Sequence, residues 1–438
     1  MREQRCLMTM IQAISLLLLF ADCATQAQSP RGAEGPLNRG VALARQGDFD
    51  RAIDEFDKAI EINPRLVDGW CNRGFAHYYK GDLDRAMADL NRAIALDPRH
   101  SLAHNNRAVV LQSQGESDKA LADFSRAIEI NPRFADAYAN RGQMRYERGD
   151  ANGALADYNK AIKYAAENPP GAAYLVSAIN PGLARAHNNR GIIRCDKGDL
   201  QGALADFNRA IEINPRLAEA YCGRAAVRCL SGAMEGALDD LERALALDPQ
   251  MYDAYNNRGN IRNATGNPDG ALADYNRAIE LEPYRFETYI NRGNVWQNKK
   301  RFAEAEADFA QAIRLNPRDK RAWLNRGAAR QAKGDFAGAI ADYTRVIELD
   351  PRDAIAYTNR GNALRASGDN AEAMNDYNRA LAIDPREALA LLNRGLGYLQ
   401  QGREAESRQD FDQCLRIDPT LQPQLDAIVK KAPRQMKR

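Results

Sequence analysis

An asparagine recurs along this chain in a fixed setting, followed by arginine and then a small residue: Asn38, Asn72, Asn106, Asn140, Asn189, Asn257, Asn291, Asn325, Asn359 and Asn393. A carboxamide offers a donor and an acceptor side by side, matching the C=O and N–H of a peptide backbone. A row of them can hold an extended chain without reading its side chains; the alternative is that each bonds locally or faces water. Gly223 stands where one more would be, dividing the row into Asn38–Asn189 and Asn257–Asn393. The arginine is present at every rung, as Arg39, Arg73, Arg107, Arg141, Arg190, Arg224, Arg258, Arg292, Arg326, Arg360 and Arg394. A second fixed point is acidic at every rung, as Glu55, Asp89, Asp123, Asp157, Asp206, Asp240, Asp274, Asp308, Asp342, Asp376 and Asp410. Guanidinium geometry suits bidentate pairing with a carboxylate, so a spine of Arg–carboxylate pairs is expected, within a rung or between neighbours. Such pairs fix register more than they add stability, and losing one partner of a buried pair costs about 3–5 kcal/mol. The acids argue against a ladder of arginines taking anionic ligands, because they already neutralise it.

Other residues able to do chemistry are sparse. Four histidines, His77, His100, His104 and His187, include one pair able to share a helix face, and two ligands do not close a metal site. Neither a phosphate-cradling glycine loop nor a nucleophile elbow occurs. Hardly any sequence lies outside the repeats to hold a catalytic domain. The chain is therefore expected to be non-catalytic, with no metal and no cofactor. Lys+Arg 61 against Asp+Glu 59 leaves +2, so no broad basic field exists to bind nucleic acid. Five of its cysteines, Cys71, Cys195, Cys222, Cys229 and Cys414, follow the N-terminal leader described below. Cys222 and Cys229 are separated by about 10 Å along one predicted helix, beyond disulfide reach. All five read as small buried hydrophobes.

The elements that must position these residues follow from the spacing. Every step between rungs is 34 residues except one of 49. Self-similarity at that period means stacked supersecondary units, eleven here, in place of the ordinary domains that length alone suggests. Each unit reads as helix A, tight turn, helix B, proline. In the fourth, Tyr138–Glu147 forms helix A, Gly149-Asp150 the turn, and Ala154–Ile162 helix B. Glycine marks the turn in ten of eleven units, with Lys300 the exception, because a helix ending in a left-handed residue favours it. Proline closes ten of eleven, from Pro64 to Pro419, stopping one helix and starting the next unit. Gly or Ala at one point of helix A (Gly74, Gly142, Gly259) faces Ala in helix B (Ala86, Ala154, Ala271), which predicts close helix approach. Rings that open helix A (Trp70, Tyr138, Tyr221, Tyr255, Tyr289, Trp323, Tyr357) or lie on helix B (Phe124, Tyr158, Phe207, Tyr275, Phe309) read as core. His104 and His187 occupy the same opening position and read as packing residues too.

Trp/Tyr-x3-Gly in helix A, then Ala-x3-Phe/Tyr-x2-Ala in helix B and the closing Pro, resemble the tetratricopeptide repeat family from Ala33 to Pro419. The resemblance implies an all-α fold: paired antiparallel helices coiling into a right-handed superhelical solenoid. It implies a concave groove, lined mainly by helix A, that binds segments of other proteins, with the recurring asparagine facing that groove. It also implies partners that are other proteins or extended peptides. One departure recurs: the family usually has Leu before the helix-A glycine, where this chain has Arg. A second groove function of the family, capture of a C-terminal carboxylate, needs a Lys just before the Asn rung and an Asn after the glycine. Asn260, Asn294 and Asn362 supply the latter, but the Lys position holds Asn256, Ile290 and Thr358, so that clamp is not expected.

The ends complete the organisation. Residues 1–27 read as a cleavable signal peptide: Arg2 and Arg5, an apolar core at Cys6–Phe20, then Thr25-Gln26-Ala27 before cleavage. Export is expected, to the periplasm or outside if the source is bacterial. The alternative is a membrane-tethered assembly factor, held by an uncleaved anchor or by lipid on Cys23; membrane contact is expected only then. Asp22 departs from the small residue that lipid attachment at Cys23 wants. Repeats 1–4 span 33–165 and repeats 5–11 span 182–419. Between them lies an insertion at 166–180, whose Pro169-Pro170-Gly171 must end a helix and whose Ala172–Ile179 can form a short one, as a lid or as a tolerated bulge. After Pro419, Leu425, Ile428 and Val429 share one helical face and are expected to cap the last repeat, followed by a basic tail to Arg438.

Overall fold

The computed structural model of this chain describes residues 32–167 and 181–431. The leader, the insertion from residue 168 and the tail from residue 432 lie outside the described residues. All regular structure within them is helical. The chain forms two compact units that meet at Pro249 and Gln250, a boundary inside the span that reads from sequence as one run of repeats 5–11. The first unit holds six helix pairs: Glu34–Arg45 with Phe49–Ile62, Val67–Tyr79 with Leu83–Leu96, Ser101–Ser113 with Ser117–Ile130, Ala135–Glu147 with Ala151–Glu167, Pro181–Asp196 with Leu200–Ile213, and Ala218–Leu230 with Met234–Leu247. The second holds five: Tyr252–Ala264 with Pro268–Leu281, Phe286–Asn298 with Phe302–Leu315, Lys320–Lys333 with Phe336–Leu349, Ala354–Ser367 with Asn370–Ile383, and Ala388–Gln400 with Glu404–Ile417. In each unit helix A packs on its own helix B, helix B on the next helix A, and successive helices A on one another. That is the contact pattern of a solenoid.

The turn between A and B is built from two residues. The glycine adopts φ between 75° and 100° in ten repeats, from Gly47 to Gly402, and Lys300 takes the same left-handed region at φ 58°. The residue after the glycine then caps helix B. Asp48, Asp82, Asp199, Asp335 and Asp369 each accept the backbone N–H three residues on, satisfying a donor that the first helical turn leaves unpaired. Thus the Gly-Asp pair ends one helix and begins the next.

Close approach of A and B depends on a different partner than the sequence pattern suggests. A Cβ placed on Gly259 would come within 2.7 Å of the Tyr275 ring, on Gly293 within 2.6 Å of Phe309, and on Gly361 within 2.7 Å of Tyr377. The glycine therefore makes room chiefly for the helix-B ring where there is one, while a Cβ on Gly74, opposite Leu90, would lie 3.1 Å from the Ala86 backbone oxygen, as the sequence pattern suggests. Rings opening helix A bind their polar tips to the connector: Trp70 and Trp323 Nε1 donate to the Pro64 and Pro317 carbonyls at 3.0 Å, and the Tyr221 and Tyr289 hydroxyls donate to Pro215 and Pro283.

Ala166 and Glu167 extend helix B of repeat 4 into the insertion, and helix A of repeat 5 begins early, at Pro181. Despite the inserted residues, Arg190 still reaches Asn159 of repeat 4 at 2.8 Å, so the stacking register continues across them. The five cysteines are free thiols, two of them, Cys71 and Cys414, buried. A final helix, Gln422–Lys431, places Leu425 against the core of repeat 11. No helix among the described residues is long and apolar enough to cross a membrane.

Candidate functional site

The recurring asparagines lie on helix A, four residues after one position and three before another on the same face. Residues at i, i+4 and i+7 share one helical face, so repeats 7 to 11 present Asp253/Asn257/Asn260, Glu287/Asn291/Asn294, Arg321/Asn325/Ala328, Ile355/Asn359/Asn362 and Leu389/Asn393/Leu396. Packing of helix A on helix A makes these faces adjacent within the unit. The strip is polar at repeats 7 and 8 and becomes apolar at its far end, where Ile355 and Leu389 are 55% and 41% exposed at equivalent points.

The two units treat their asparagines differently. In the first, Asn72 and Asn106 are enclosed, at 2% and 0% exposure. Asn38 is exposed, while half-buried Asn140 donates to Asn105 at 3.2 Å and Asn189 donates to Gln143 at 3.0 Å and to the Tyr158 hydroxyl. In the second, Asn257, Asn291, Asn325 and Asn359 are all half-buried. Asn291 donates to Asn256 of the preceding repeat at 3.3 Å and Asn325 to Asn294 at 2.9 Å. Asn393 turns back to its own helix, donating to the Leu389 carbonyl at 2.8 Å. The break at Gly223 has a steric basis: a Cβ there would meet the Phe207 ring at 2.4 Å.

Beside this face runs the arginine–carboxylate spine, and it is both intra- and inter-repeat. In the ten repeats with aspartate, the arginine Nε and Nη2 donate to the acid of the same repeat at 2.6–3.2 Å. The remaining Nη1 reaches back to helix B of the preceding repeat in eight: Asp57, Asn91, Ser125, Asn159, Asn208, Asn276, Thr344 and Asn378 accept it. The same guanidinium lies over the ring that opens its helix, as Arg73 over Trp70 at 4.7 Å and Arg326 over Trp323 at 4.9 Å. These rings therefore serve the arginine as well as the core, and the guanidinium is committed on three sides.

A second arginine escapes a reading based on single positions. Arg145, Arg194, Arg228, Arg262 and Arg330 follow the first by four residues and donate Nη1 to the same aspartate at 2.8–3.0 Å. Its signal was the recurring Arg-x3-Arg, which puts both cations on one helix face. His104 and His187 contribute likewise, placing Nδ1 3.2 and 2.9 Å from Asp123 and Asp206. At three of these carboxyls the balance between burial and partners shifts the acidity. Burial pushes the Asp123 and Asp206 carboxyls up, but the arginines and histidines beside them outweigh it and leave both below the ordinary range. At Asp308 burial outweighs Arg292 alone, and the carboxyl is raised. Trp296 stands there where other repeats have the second arginine.

Models of the tetratricopeptide repeat match residues 67–100, 101–134, 184–217, 252–284, 286–319 and 388–421, and those of the TPR repeat match 40–81, 329–364 and 361–402, together more than half of the chain. This chain belongs to the tetratricopeptide repeat family. Among solved structures it is similar to YrrB, a TPR protein with an unusual peptide-binding site (25% identity over 42% of this chain and 95% of that one, TM-score 0.39). It is also similar to a tetratricopeptide repeat protein from Parabacteroides merdae (22%, 56% and 98%, TM-score 0.46) and to yeast Tom70 (20%, 91% and 94%, TM-score 0.40). Curated protein sequences give no match. In this tetratricopeptide repeat chain the helix-A strip is thus a face of carboxamides flanked by a neutralised spine. It can exchange hydrogen bonds with a polar backbone, while the arginines of the spine beside it are committed to their aspartates.

Proposed function

We propose that this protein is a non-catalytic adaptor that holds an extended segment of a partner protein along the helix-A face, chiefly in its second unit. The observation carrying this reading is the row Asn257, Asn291, Asn325 and Asn359, each half-buried at an equivalent point of four successive repeats. Donor and acceptor at regular intervals match a backbone of unspecified sequence. Ile355 and Leu389, exposed at the end of the strip, supply apolar contact for side chains of the segment. Within the first unit Asn38, Asn140 and Asn189 form a row of their own; enclosed Asn72 and Asn106 act there as packing groups.

The protein works after export, with the leader removed behind Ala27, in the periplasm or outside a bacterial cell. A tethered form, kept on the membrane by its N-terminus, is the second reading, for which the apolar core at Cys6–Phe20 would serve as the anchor. Two measurements test the proposal. N-terminal sequencing of the mature protein is expected to begin at Gln28; an acylated Cys23 or an intact Met1 overturns the soluble form. Co-purification compares wild type with a variant in which Asn257, Asn291, Asn325 and Asn359 are all Ala, with matched circular dichroism. Loss of a wild-type partner supports the face; equal retention places binding elsewhere.

A further inference from the structure

The strip has a polarity that its composition does not reveal. Tyr275 donates its hydroxyl to Asn260 Oδ1 at 2.8 Å and Tyr377 donates to Asn362 Oδ1 at 2.9 Å. Tyr343 donates to Gln331 Oε1 at 3.3 Å. Asn294 Oδ1 accepts from Asn325, and Asn256 Oδ1 accepts from both Asn291 and Thr288. In each case a carboxamide oxygen is held by the protein. Burial raises the Tyr275, Tyr343 and Tyr377 phenols above their ordinary value, so the hydroxyls stay neutral and able to donate. An amide whose oxygen is occupied from below keeps its two N–H donors for what lies above.

The pairing is written into the sequence as a correlation between two positions fifteen residues apart. Where helix A carries Gln143, Asn260 or Asn362, the helix-B ring is Tyr158, Tyr275 or Tyr377. Where it carries Val41, Val109, Ile192 or Leu396, the ring is Phe56, Phe124, Phe207 or Phe411, with no hydroxyl. Two repeats depart from it: Asn294 faces Phe309, and its oxygen is taken by Asn325, while Ala328 faces Tyr343, whose hydroxyl reaches Gln331 instead. In repeats 7 and 10 the hydroxyl holds the amide fifteen residues before it, and in repeat 9 one twelve residues before it. In repeat 4, by contrast, Tyr158 and Gln143 are both held by Asn189. The core ring fills the same space in either case, so packing alone does not select between Tyr and Phe.

We infer that repeats 7 to 10 present an oriented row of N–H donors, and that their occupant is an extended polypeptide gripped through its backbone carbonyl oxygens. This deepens the adaptor reading and rests on it. Tyr275 and Tyr377 are positioning residues, acting on the ligand through Asn260 and Asn362. A carbonyl-bearing backbone is preferred to an anionic chain because the strip carries Asp253 and Glu287 against a single cation, Arg321, which is already paired with Asp319 at 2.6 Å. An apolar end at Ile355 and Leu389 further suits a polypeptide.

The test uses the full chain and a defined probe: a fluorescein-labelled dodecapeptide selected on it from a random displayed library, read by fluorescence polarisation. Tyr275→Phe with Tyr377→Phe keeps both rings, and is expected to weaken the peptide five- to twentyfold with circular dichroism unchanged. A control pair, Tyr221→Phe with Tyr289→Phe, removes hydroxyls that serve only the connector and is expected to leave affinity unchanged. Within the peptide, thioamide replacement, which weakens the carbonyl acceptor, is expected to cost affinity, whereas backbone N-methylation at the same residues costs less. If the four-asparagine variant loses the peptide but the Tyr275/Tyr377 variant binds as wild type does, the oriented-donor inference falls and the adaptor reading stands. A greater penalty from N-methylation than from the thioamide also overturns it. Failure of the wild type to enrich any peptide, or equal binding by all variants, overturns both.

Discussion

Replacing Asp274 by Ala tests whether the spine holds a repeat together. Its side chain is 3% exposed and accepts from Arg258 Nε at 3.1 Å, Arg258 Nη2 at 2.6 Å and Arg262 Nη1 at 2.8 Å. The substitution leaves two largely enclosed guanidinium groups without their anion. Uncompensated buried charge of this kind costs about 3–5 kcal/mol. Asp308, which binds Arg292 alone and is raised rather than lowered in pKa by its surroundings, supplies the internal comparison. Its loss orphans one cation and is expected at the lower end, about 3 kcal/mol, with Asp274 at the upper end. In a repeat array each unit contacts only its neighbours, so the damage is local. Hydrogen exchange of helices Tyr252–Ala264 and Pro268–Leu281 reads it directly, and at about 1.4 kcal/mol per tenfold the amides exchange roughly a hundred to several thousand times faster, up to the limit set by global unfolding. Converting the whole cluster to apolar groups, with Arg258→Met, Arg262→Met and Asp274→Leu, is expected to restore most of the protection, because the desolvation penalty disappears with the charges. Unchanged protection in Asp274→Ala, or a larger loss from Asp308→Ala, would refute the reasoning.

Lys300→Gly is expected to raise the thermal midpoint, stabilising by about 0.5–1 kcal/mol, because a left-handed backbone costs any residue with a Cβ. Gly259→Ala is expected to destabilise by about 1–3 kcal/mol through overpacking against the Tyr275 ring, whereas Gly236→Ala, whose nearest neighbour is the flexible Arg228 side chain at 3.4 Å, gains up to about 1 kcal/mol of helix propensity; urea unfolding separates the two signs. Carboxyl NMR titration is expected to place Asp123 and Asp206 below the ordinary carboxylate value and Asp308 above it. Because the first two are depressed on folding, the stability they contribute is complete above about pH 4 and is lost as pH falls through their folded-state values. Asp308 acts in the opposite sense: its contribution is present in acid and lost as pH rises through its raised value.

The fold was legible because the chain repeats its own requirements. Glycine at the turn, the proline stop and the arginine with its acid each recur at one spacing, and recurrence within a single chain separates a requirement from an accident. Lys300 shows the limit of such a reading, since its exception is visible in sequence but its φ of 58° is not. The helix-A glycine shows another. Its small size was readable, yet where helix B has a ring its partner is that ring, because side-chain reach and not sequence alignment decides what a missing Cβ makes room for.

The sequence by itself determined the helix pairs, their order and the composition of the spine, since these follow from local periodicity and turn chemistry. Tertiary structure alone decided which asparagines are reachable, enclosing Asn106 while leaving Asn291 half-open. It also decided that the third donor of eight spine arginines ties one repeat to the one before, and that tyrosine hydroxyls hold the oxygens of Asn260 and Asn362. A hydrogen bond is fixed by distances of a few ångströms between atoms on different helices. A repeating sequence states which groups are present at each rung, and packing states which of their donors are already taken.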